Sequence, residues 1–123
     1  MSKICLDLSF LLAYLSGEEG AVKKVRQEYK EVLYITSLTL ADVSLLLTEP
    51  ELVEYVRGAF EVLPFDERAA LLTREVYDEM ERNRGKASER VAMEAAICLA
   101  NSAYLLTRKK ALYEGITALK VII

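Results

Sequence analysis

Five short apolar runs alternate with longer helix-like segments, and this alternation restricts the fold more than any other feature of the chain. The runs cover residues 4–7, 32–36, 60–63, 103–107 and 119–122. The last four are continuous rather than alternating in hydrophobicity, which indicates strands that are buried on both faces. Such strands form a parallel sheet with helices on either side, joined by right-handed crossovers. We therefore predict an α/β fold: a three-layer α/β/α sandwich with a central, mostly parallel five-stranded sheet, in one domain over residues 1–123.

The segments between the runs carry signals for helix starts and ends. Helices are predicted over residues 10–15, 18–29, about 37–47, 50–56, 66–82, 88–101 and 111–113. Thr39 and Asp42 fit a capping box at the start of the third helix. The other predicted caps and stops are Ser37 as an alternative to Thr39, Asp66 and Ser88 at helix starts, and Gly58 and Gly85 at helix ends.

Composition excludes several kinds of site. Hydrophobic residues make up 53% of the 123 residues, which is too many for a disordered chain. The net charge is −3, so no global positive field attracts nucleic acid, and any RNA contact needs a local basic patch. Histidine is absent, which excludes histidine metal sites and nucleophiles that histidine activates.

The same composition bears on where the protein works. The apolar runs are far shorter than a membrane span, and the amino terminus lacks the layout of a secretory signal, so we expect a cytoplasmic protein with no membrane partner. Charged residues are frequent and amide side chains few, a balance typical of thermophiles. Cys5 and Cys98 lie in apolar segments; two buried thiols are the first interpretation and a disulfide is the second.

A single acid, Asp7, follows the first apolar run, Ile4-Cys5-Leu6. The carboxyl ends of parallel strands are where α/β proteins place their sites, so this position suits a functional carboxylate, with Ser9 two residues further on. The alternative interpretation is an aspartate that only caps the following helix.

Four stretches in a fixed order carry a family resemblance: DLSFLLAYL, ITSLTLADVSLLL, AAICLANSAYLLTR and LKVI. Together they resemble the PIN domain, specifically the VapC-like toxins of toxin–antitoxin pairs, over essentially the whole chain. The resemblance implies a ribonuclease that depends on magnesium or manganese held by three or four clustered acids. It also implies a homodimer and an antitoxin protein as a partner. A hard cation of this kind takes oxygen ligands and activates a bound water for attack on phosphate.

Two acids match the family positions directly. Asp7 matches the first acid, and Asp42 matches the second, which is usually a glutamate. The resemblance therefore implies Asp7 and Asp42 as metal ligands, with the shorter Asp42 side chain favouring contact through water. Ser9 matches a small polar residue of the family motif, whereas Leu8 replaces a threonine or serine.

The third acid position holds Val91, which cannot bind a metal. Glu94 lies one turn further along the same face of the predicted helix, among apolar residues that should face inward. Glu94 is therefore a displaced replacement acid, a partner for a basic side chain, or a residue at the rim of the helix face. Glu89 is a further candidate, better suited to supporting the helix amino terminus.

After the fourth run the family has threonine, any residue, and then aspartate or asparagine, where this chain has Thr107-Arg108-Lys109. Thr107 matches, but Lys109 brings a positive charge to an acid position. Its ammonium would pair with Asp7 or Glu94 and compete with a metal; alternatively, the basic run is solvated surface. The predicted substrate contacts are Ser9, Thr107, Arg108 and Lys109.

Apolar residues are concentrated in segments 43–47 and 52–56, which form the dimer contact in the similar toxins. A homodimer is the expected oligomer, and burial within the core is the alternative role of these residues.

Three functions follow from these features. The preferred one is a PIN-like domain of the VapC type with a degenerate acidic site, catalytically weak or inactive, that acts by binding RNA or protein. The alternative is a magnesium- or manganese-dependent endoribonuclease toxin that uses Asp7, Asp42 and Glu94. The third is a structural dimerising domain that an antitoxin still binds.

Overall fold

A computed structural model describes residues 3–122, and its centre is a fully parallel five-stranded sheet in the order β3-β2-β1-β4-β5. The strands are β1 (Lys3–Leu6), β2 (Leu33–Thr36), β3 (Glu61–Leu63), β4 (Ala103–Leu106) and β5 (Val121–Ile122). The predicted number of strands and their parallel direction are confirmed. The fifth strand is shorter than the predicted 119–122, because only its last two described residues pair with β4.

Helices cover both faces of the sheet. They are α1 (Leu8–Leu15), α2 (Glu19–Lys23), which continues as a π-helical turn (Lys24–Glu28), α3 (Ser37–Leu46), α4 (Pro50–Ala59), α5 (Glu67–Arg84), α6 (Glu89–Ala100) and a 3₁₀ turn (Lys110–Tyr113). The core is divided by the sheet into two apolar clusters, and consecutive strand residues point into opposite ones. Cys5 and Leu105 pack with α5 and α6, whereas Leu6 and Leu106 pack with α1. The predicted three-layer sandwich is confirmed.

The predicted capping residues of α3 and the predicted end of α4 are wrong. Neither Ser37 nor Thr39 caps α3; Thr36 does, since its hydroxyl accepts the backbone N–H of Thr39 at 3.1 Å. The Thr39–Asp42 capping box is therefore absent among the described residues. Gly58 does not end α4, which runs to Ala59, because the glycine has a helical backbone.

Other helix ends match the prediction. Asp66 caps α5 through the N–H of Ala69 at 3.0 Å, and Ser88 caps α6 through the N–H of Val91 at 3.2 Å. Gly85 follows α5 with φ of 75°, a left-handed conformation that glycine adopts without strain.

The order of the strands creates a crevice at one edge of the sheet. The chain leaves β1 toward β2 on one side and later returns to β4 on the other, so the connections diverge between β1 and β4. In open parallel sheets, ligands bind at this switch point, outside the carboxyl ends of the strands. Leu6 pairs with Leu106 in register, so the residues that follow, Asp7 and Thr107, arrive side by side at this crevice.

The two cysteines are buried free thiols, as the first interpretation predicted. Contact with Cys98 and burial raise the pKa of the Cys5 thiol, which keeps it protonated. Within residues 3–122, no helix has the length and apolar character needed to cross a membrane.

Candidate functional site

A cleft of about 470 Å³ opens at the carboxyl edge of the sheet, at the switch point. Six of the seven predicted site residues line it: Asp7, Ser9, Asp42, Glu94, Arg108 and Lys109. The seventh, Thr107, lies beside the first acid and bonds to it. Residues 100 positions apart in the chain therefore meet because β1, α3, α6 and the β4 end all reach this edge.

Asp7 is 4% exposed and accepts four hydrogen bonds. One carboxylate oxygen, Oδ1, accepts the Ser9 hydroxyl at 2.6 Å and the Phe10 backbone N–H at 3.0 Å. The other, Oδ2, accepts the Thr107 hydroxyl at 2.5 Å and the Tyr113 hydroxyl at 3.2 Å. A carboxylate has about four lone-pair sites, so internal donors occupy the whole set. Asp7 also caps α1, which confirms the capping interpretation from the sequence, and its functional role stays a prediction.

The predicted substrate contacts Ser9 and Thr107 are used inside the protein. While each hydroxyl donates to Asp7, the Ser9 oxygen accepts the Arg108 N–H at 3.1 Å and the Thr107 oxygen accepts the Lys109 N–H at 2.9 Å. The loop after β4 is thus tied to Asp7 through two hydroxyls. Ser9 and Thr107 position this acid and its loop.

Asp42 lies across the cleft and is held by a basic residue that the sequence analysis did not single out. Its Oδ2 is 2.5 Å from Nη2 of Arg90, and the same nitrogen donates to the Leu38 carbonyl at 2.7 Å. The side chain of Asp42 is 26% exposed and that of Arg90 is 46% exposed. The guanidinium thus connects the start of α6 to α3 at the mouth of the cleft.

Glu94 is 5% exposed, so the prediction that it lies at the rim of the helix face is wrong; α6 turns this residue inward. Its Oε1 accepts the Thr36 hydroxyl at 2.6 Å, while Oε2 has no hydrogen-bond partner among residues 3–122. Burial raises the pKa of Glu94 to about 7, the Thr36 hydrogen bond opposes this rise, and Asp7 adds to it. Near neutral pH this carboxyl is therefore divided between its acid and its ionised form.

The two cations that follow Thr107 make different contacts. The Arg108 guanidinium bonds to the carboxylate of Glu18 and lies over the Phe10 ring, 5.0 Å from its centroid. Within the described chain the Lys109 ammonium pairs with neither Asp7 nor Glu94, so the predicted ion pair is wrong. The lysine is exposed at the mouth of the cleft, where solvation satisfies its charge.

Three residues of the site were missed from the sequence: Thr36, Arg90 and Tyr113. Thr36 ends a strand beside the switch point, so its position could have identified it as a residue of the site. Tyr113 lies in a turn with no motif, and burial together with Asp7 raises its pKa, which keeps its hydroxyl a donor. No pattern in the sequence indicates that Arg90 reaches Asp42.

The carboxylates of the cleft, as they are arranged, do not fit a divalent cation. All sites on Asp7 are taken, Asp42 is paired with Arg90, and no group of three potential metal-ligating side chains occurs in residues 3–122. Magnesium requires near-octahedral oxygen ligands, so it would have to displace hydroxyls from Asp7 and the guanidinium from Asp42.

The walls of the cleft are largely apolar. Leu8, Leu12, Val91 and Leu112 line it, and Leu112 is 42% exposed. Leu8 and Val91 stand at positions where the resemblance described above leads us to expect polar residues, and both make the cleft more apolar.

The segments 43–47 and 52–56 divide between core and surface. Val43 and Val56 are fully buried, whereas Leu45 is 83% and Leu46 is 56% exposed. The alternative of complete burial is therefore wrong for the end of α3. The homodimer stays a prediction.

No family model and no curated protein matches this sequence. Solved structures match along the whole chain. The DNA-bound VapBC of Salmonella typhimurium is similar with a TM-score of 0.83 at 20% identity, covering 99% of this chain and 98% of that one. VapBC2 of Rickettsia felis, bound to a promoter DNA fragment, has a TM-score of 0.82 at 16% identity, with 97% and 96% covered.

FitAcB of Neisseria gonorrhoeae has a TM-score of 0.80 at 19% identity, with coverage of 98% and 96%. These similarities establish a shared fold. The predicted resemblance to the PIN domain of VapC-type toxins is confirmed at this level.

Proposed function

We propose that this protein is a PIN-fold counterpart of toxin–antitoxin toxins that acts by binding a protein partner of the antitoxin kind, with little or no metal-dependent cleavage of RNA. The observation that carries the proposal is the complete hydrogen bonding of Asp7 by four internal donors. The acid that would anchor a catalytic cation instead organises the walls of the cleft.

The rest of the cleft supports binding over catalysis. Val91 supplies no ligand at the third acid position, and Arg90 neutralises Asp42. Metal-dependent hydrolysis of phosphate esters needs a cation that orients and activates water, which this arrangement does not favour.

Protein is a better candidate than RNA for the partner. Four aliphatic side chains line the cleft, and its aromatic ring, that of Tyr113, is buried beside Asp7 and offers no platform for base stacking. The net charge of −3 gives no general attraction for a phosphate backbone. The structural neighbours are toxin–antitoxin complexes, which favours a small protein partner of the same kind.

The test is co-expression of this chain with the antitoxin-like small proteins of its source genome, followed by light scattering and calorimetry of the pair that copurifies. We expect a defined complex that Leu112→Asp weakens at least about tenfold, because a charge enters the apolar wall. Leu71→Asp is the matched control, since Leu71 is 73% exposed on α5 outside the cleft. Equal weakening by both variants, or tight binding of single-stranded RNA in place of protein, would overturn the proposal.

A second candidate is the magnesium- or manganese-dependent endoribonuclease that uses Asp7, Asp42 and Glu94. One observation favours it: Glu94 directs an unbonded, buried carboxylate oxygen toward the same cleft as the other two acids. Incubation of single-stranded RNA with the protein and Mn²⁺ distinguishes the two. Cleavage that stops on removal of the metal and in Asp7→Asn would support the nuclease, and intact RNA would support the binding function.

A further inference from the structure

Arg90 is anchored in the cleft by two oxygen atoms of another helix. It is the second residue of α6, and its Nη2 contacts the Asp42 carboxylate at 2.5 Å and the Leu38 carbonyl at 2.7 Å, both on α3. A carboxylate oxygen and a main-chain carbonyl oxygen are ligands that a hard divalent cation would take. The guanidinium therefore occupies an oxygen-rich position with a positive charge of its own.

The charge of Arg90 also reaches the buried acid of the cleft. It lowers the pKa of Glu94, in opposition to the effect of burial and of Asp7. One side chain thus compensates two acids, Asp42 by direct contact and Glu94 through space. This is the electrostatic task that a bound metal performs in a cluster of carboxylates.

Lys109 provides the comparison within the same cleft. It stands where the sequence predicts a cation that replaces the metal, but its ammonium contacts no carboxylate in residues 3–122. Removing either residue deletes one positive charge from the cleft lining, and only the loss of Arg90 frees the oxygens of Asp42 and Leu38.

We infer that Arg90 is a resident counter-cation that takes the place of a divalent metal in this cleft and excludes it. Arg90 is a positioning residue: it holds α6 against α3 and closes the Asp42 side to metal. This inference rests on the proposed non-catalytic function. It names Arg90 as the reason for low metal affinity. It also predicts that the acids of the cleft bind a metal once Arg90 is removed.

The experiment is a Mn²⁺ titration by calorimetry on the whole chain, in the wild type and in Arg90→Ala, Arg90→Lys and Lys109→Ala. We expect no saturable binding at low millimolar Mn²⁺ in the wild type, in Arg90→Lys or in Lys109→Ala. Arg90→Ala should bind at least about tenfold more tightly than the wild type. Circular dichroism melts check that each variant is folded. Should Arg90→Ala fail to fold, Arg90→Gln carries the test, because it removes the positive charge but keeps more of the aliphatic stem of the side chain.

The outcomes separate this inference from the proposed function. No gain of binding in a folded Arg90→Ala or Arg90→Gln overturns the role of Arg90 and leaves the partner-binding function standing. A gain of equal size in Lys109→Ala also overturns it, because removal of any local positive charge would then suffice. Saturable binding by the wild type overturns the exclusion of metal by Arg90, and the RNA cleavage assay then decides whether the proposed function fails with it.

Discussion

Two carboxylates of the same cleft, Asp7 and Glu94, are almost equally buried, at 4% and 5% exposure, but differ in their surroundings. Asp7 accepts four hydrogen bonds, whereas Glu94 accepts one and keeps Oε2 without a partner among the described residues. The difference arises from their places in the fold. Asp7 precedes a helix, where backbone N–H groups are free, while Glu94 lies inside α6, where the backbone donors are already used.

Burial alone therefore does not reveal what a carboxylate does. At the Asp7 end the acid stabilises the loops that surround it, since a buried carboxylate with full hydrogen bonding is well satisfied. At the Glu94 end the ionised acid is costly, because one hydrogen bond does not offset its burial. The same edge of the sheet thus contains one satisfied acid and one acid that titrates near neutral pH.

Asp7→Ala should produce the largest effect on stability. It leaves the Tyr113 and Thr107 hydroxyls and the Phe10 N–H without their acceptor, so we expect a loss of about 3–4 kcal/mol in the free energy of unfolding. Urea denaturation measures it. The control is Asp66→Ala, another aspartate at a helix start, whose side chain is held by the Ala69 N–H; it should cost about 1 kcal/mol. Equal losses of stability in Asp7→Ala and Asp66→Ala would mean that the additional donors to Asp7 contribute nothing beyond helix capping.

Glu94→Gln should instead stabilise the protein at high pH. The pKa of Glu94 is about 7 in the folded chain against 4.5 when exposed, so between these values the folded state holds a proton that the unfolded state has released. The stabilisation that this acid provides is complete below pH 4.5 and is lost as pH rises through 7.

Neutral glutamine removes that dependence, so we expect a gain of about 3 kcal/mol at pH 8 and none near pH 4.5. Thermal melts of both proteins across this pH range measure it, with Glu61→Gln, an exposed acid of β3, as the control. A constant difference between Glu94→Gln and the wild type at every pH would contradict the raised pKa.

Tyr113→Phe tests how much a single hydrogen-bond donor to Asp7 contributes to stability. It removes one of the four donors without changing the packing of the ring, so we expect a loss of about 1 kcal/mol. A double-mutant cycle with Asp7→Ala should give a coupling of at least this size, since Tyr113→Phe then removes a buried hydroxyl that has no acceptor. Additive losses would mean that this hydrogen bond contributes nothing to stability.

Lys109→Ala should have the smallest effect, within about 0.5 kcal/mol, because the ammonium is exposed and pairs with neither acid. From the sequence, an ion pair with a carboxylate and a solvated surface position were both open for this lysine, and the structure agrees with the second. Chemical denaturation measures this effect. A loss of more than about 1 kcal/mol in the free energy of unfolding would indicate that Lys109 does pair with a carboxylate, which would weaken the role assigned to Arg90.

The sheet and most helix ends were predictable because their signals are local. Continuous apolar runs indicate strands buried on both faces, and Asp66, Ser88 and Gly85 act on backbone groups within a few residues of themselves. The capping residue of α3 was not predicted, since several hydroxyl residues follow one another there and Thr36 supplies the cap. The convergence of Asp7, Asp42 and Glu94 on one cleft was predicted from the family resemblance; the strand-end rule accounts for Asp7 alone, because the other two acids lie on helices.

The sequence by itself thus determined the parallel sheet, the position of Asp7 at its functional edge, and the loss of an acid at Val91. The tertiary structure alone decided the state of the remaining acids. Asp42 meets Arg90 across 48 positions, Glu94 meets Thr36 across 58, and Asp7 meets Tyr113 across 106. Charge and protonation depend on burial and on donors within a few ångströms, and neither follows from local sequence spacing.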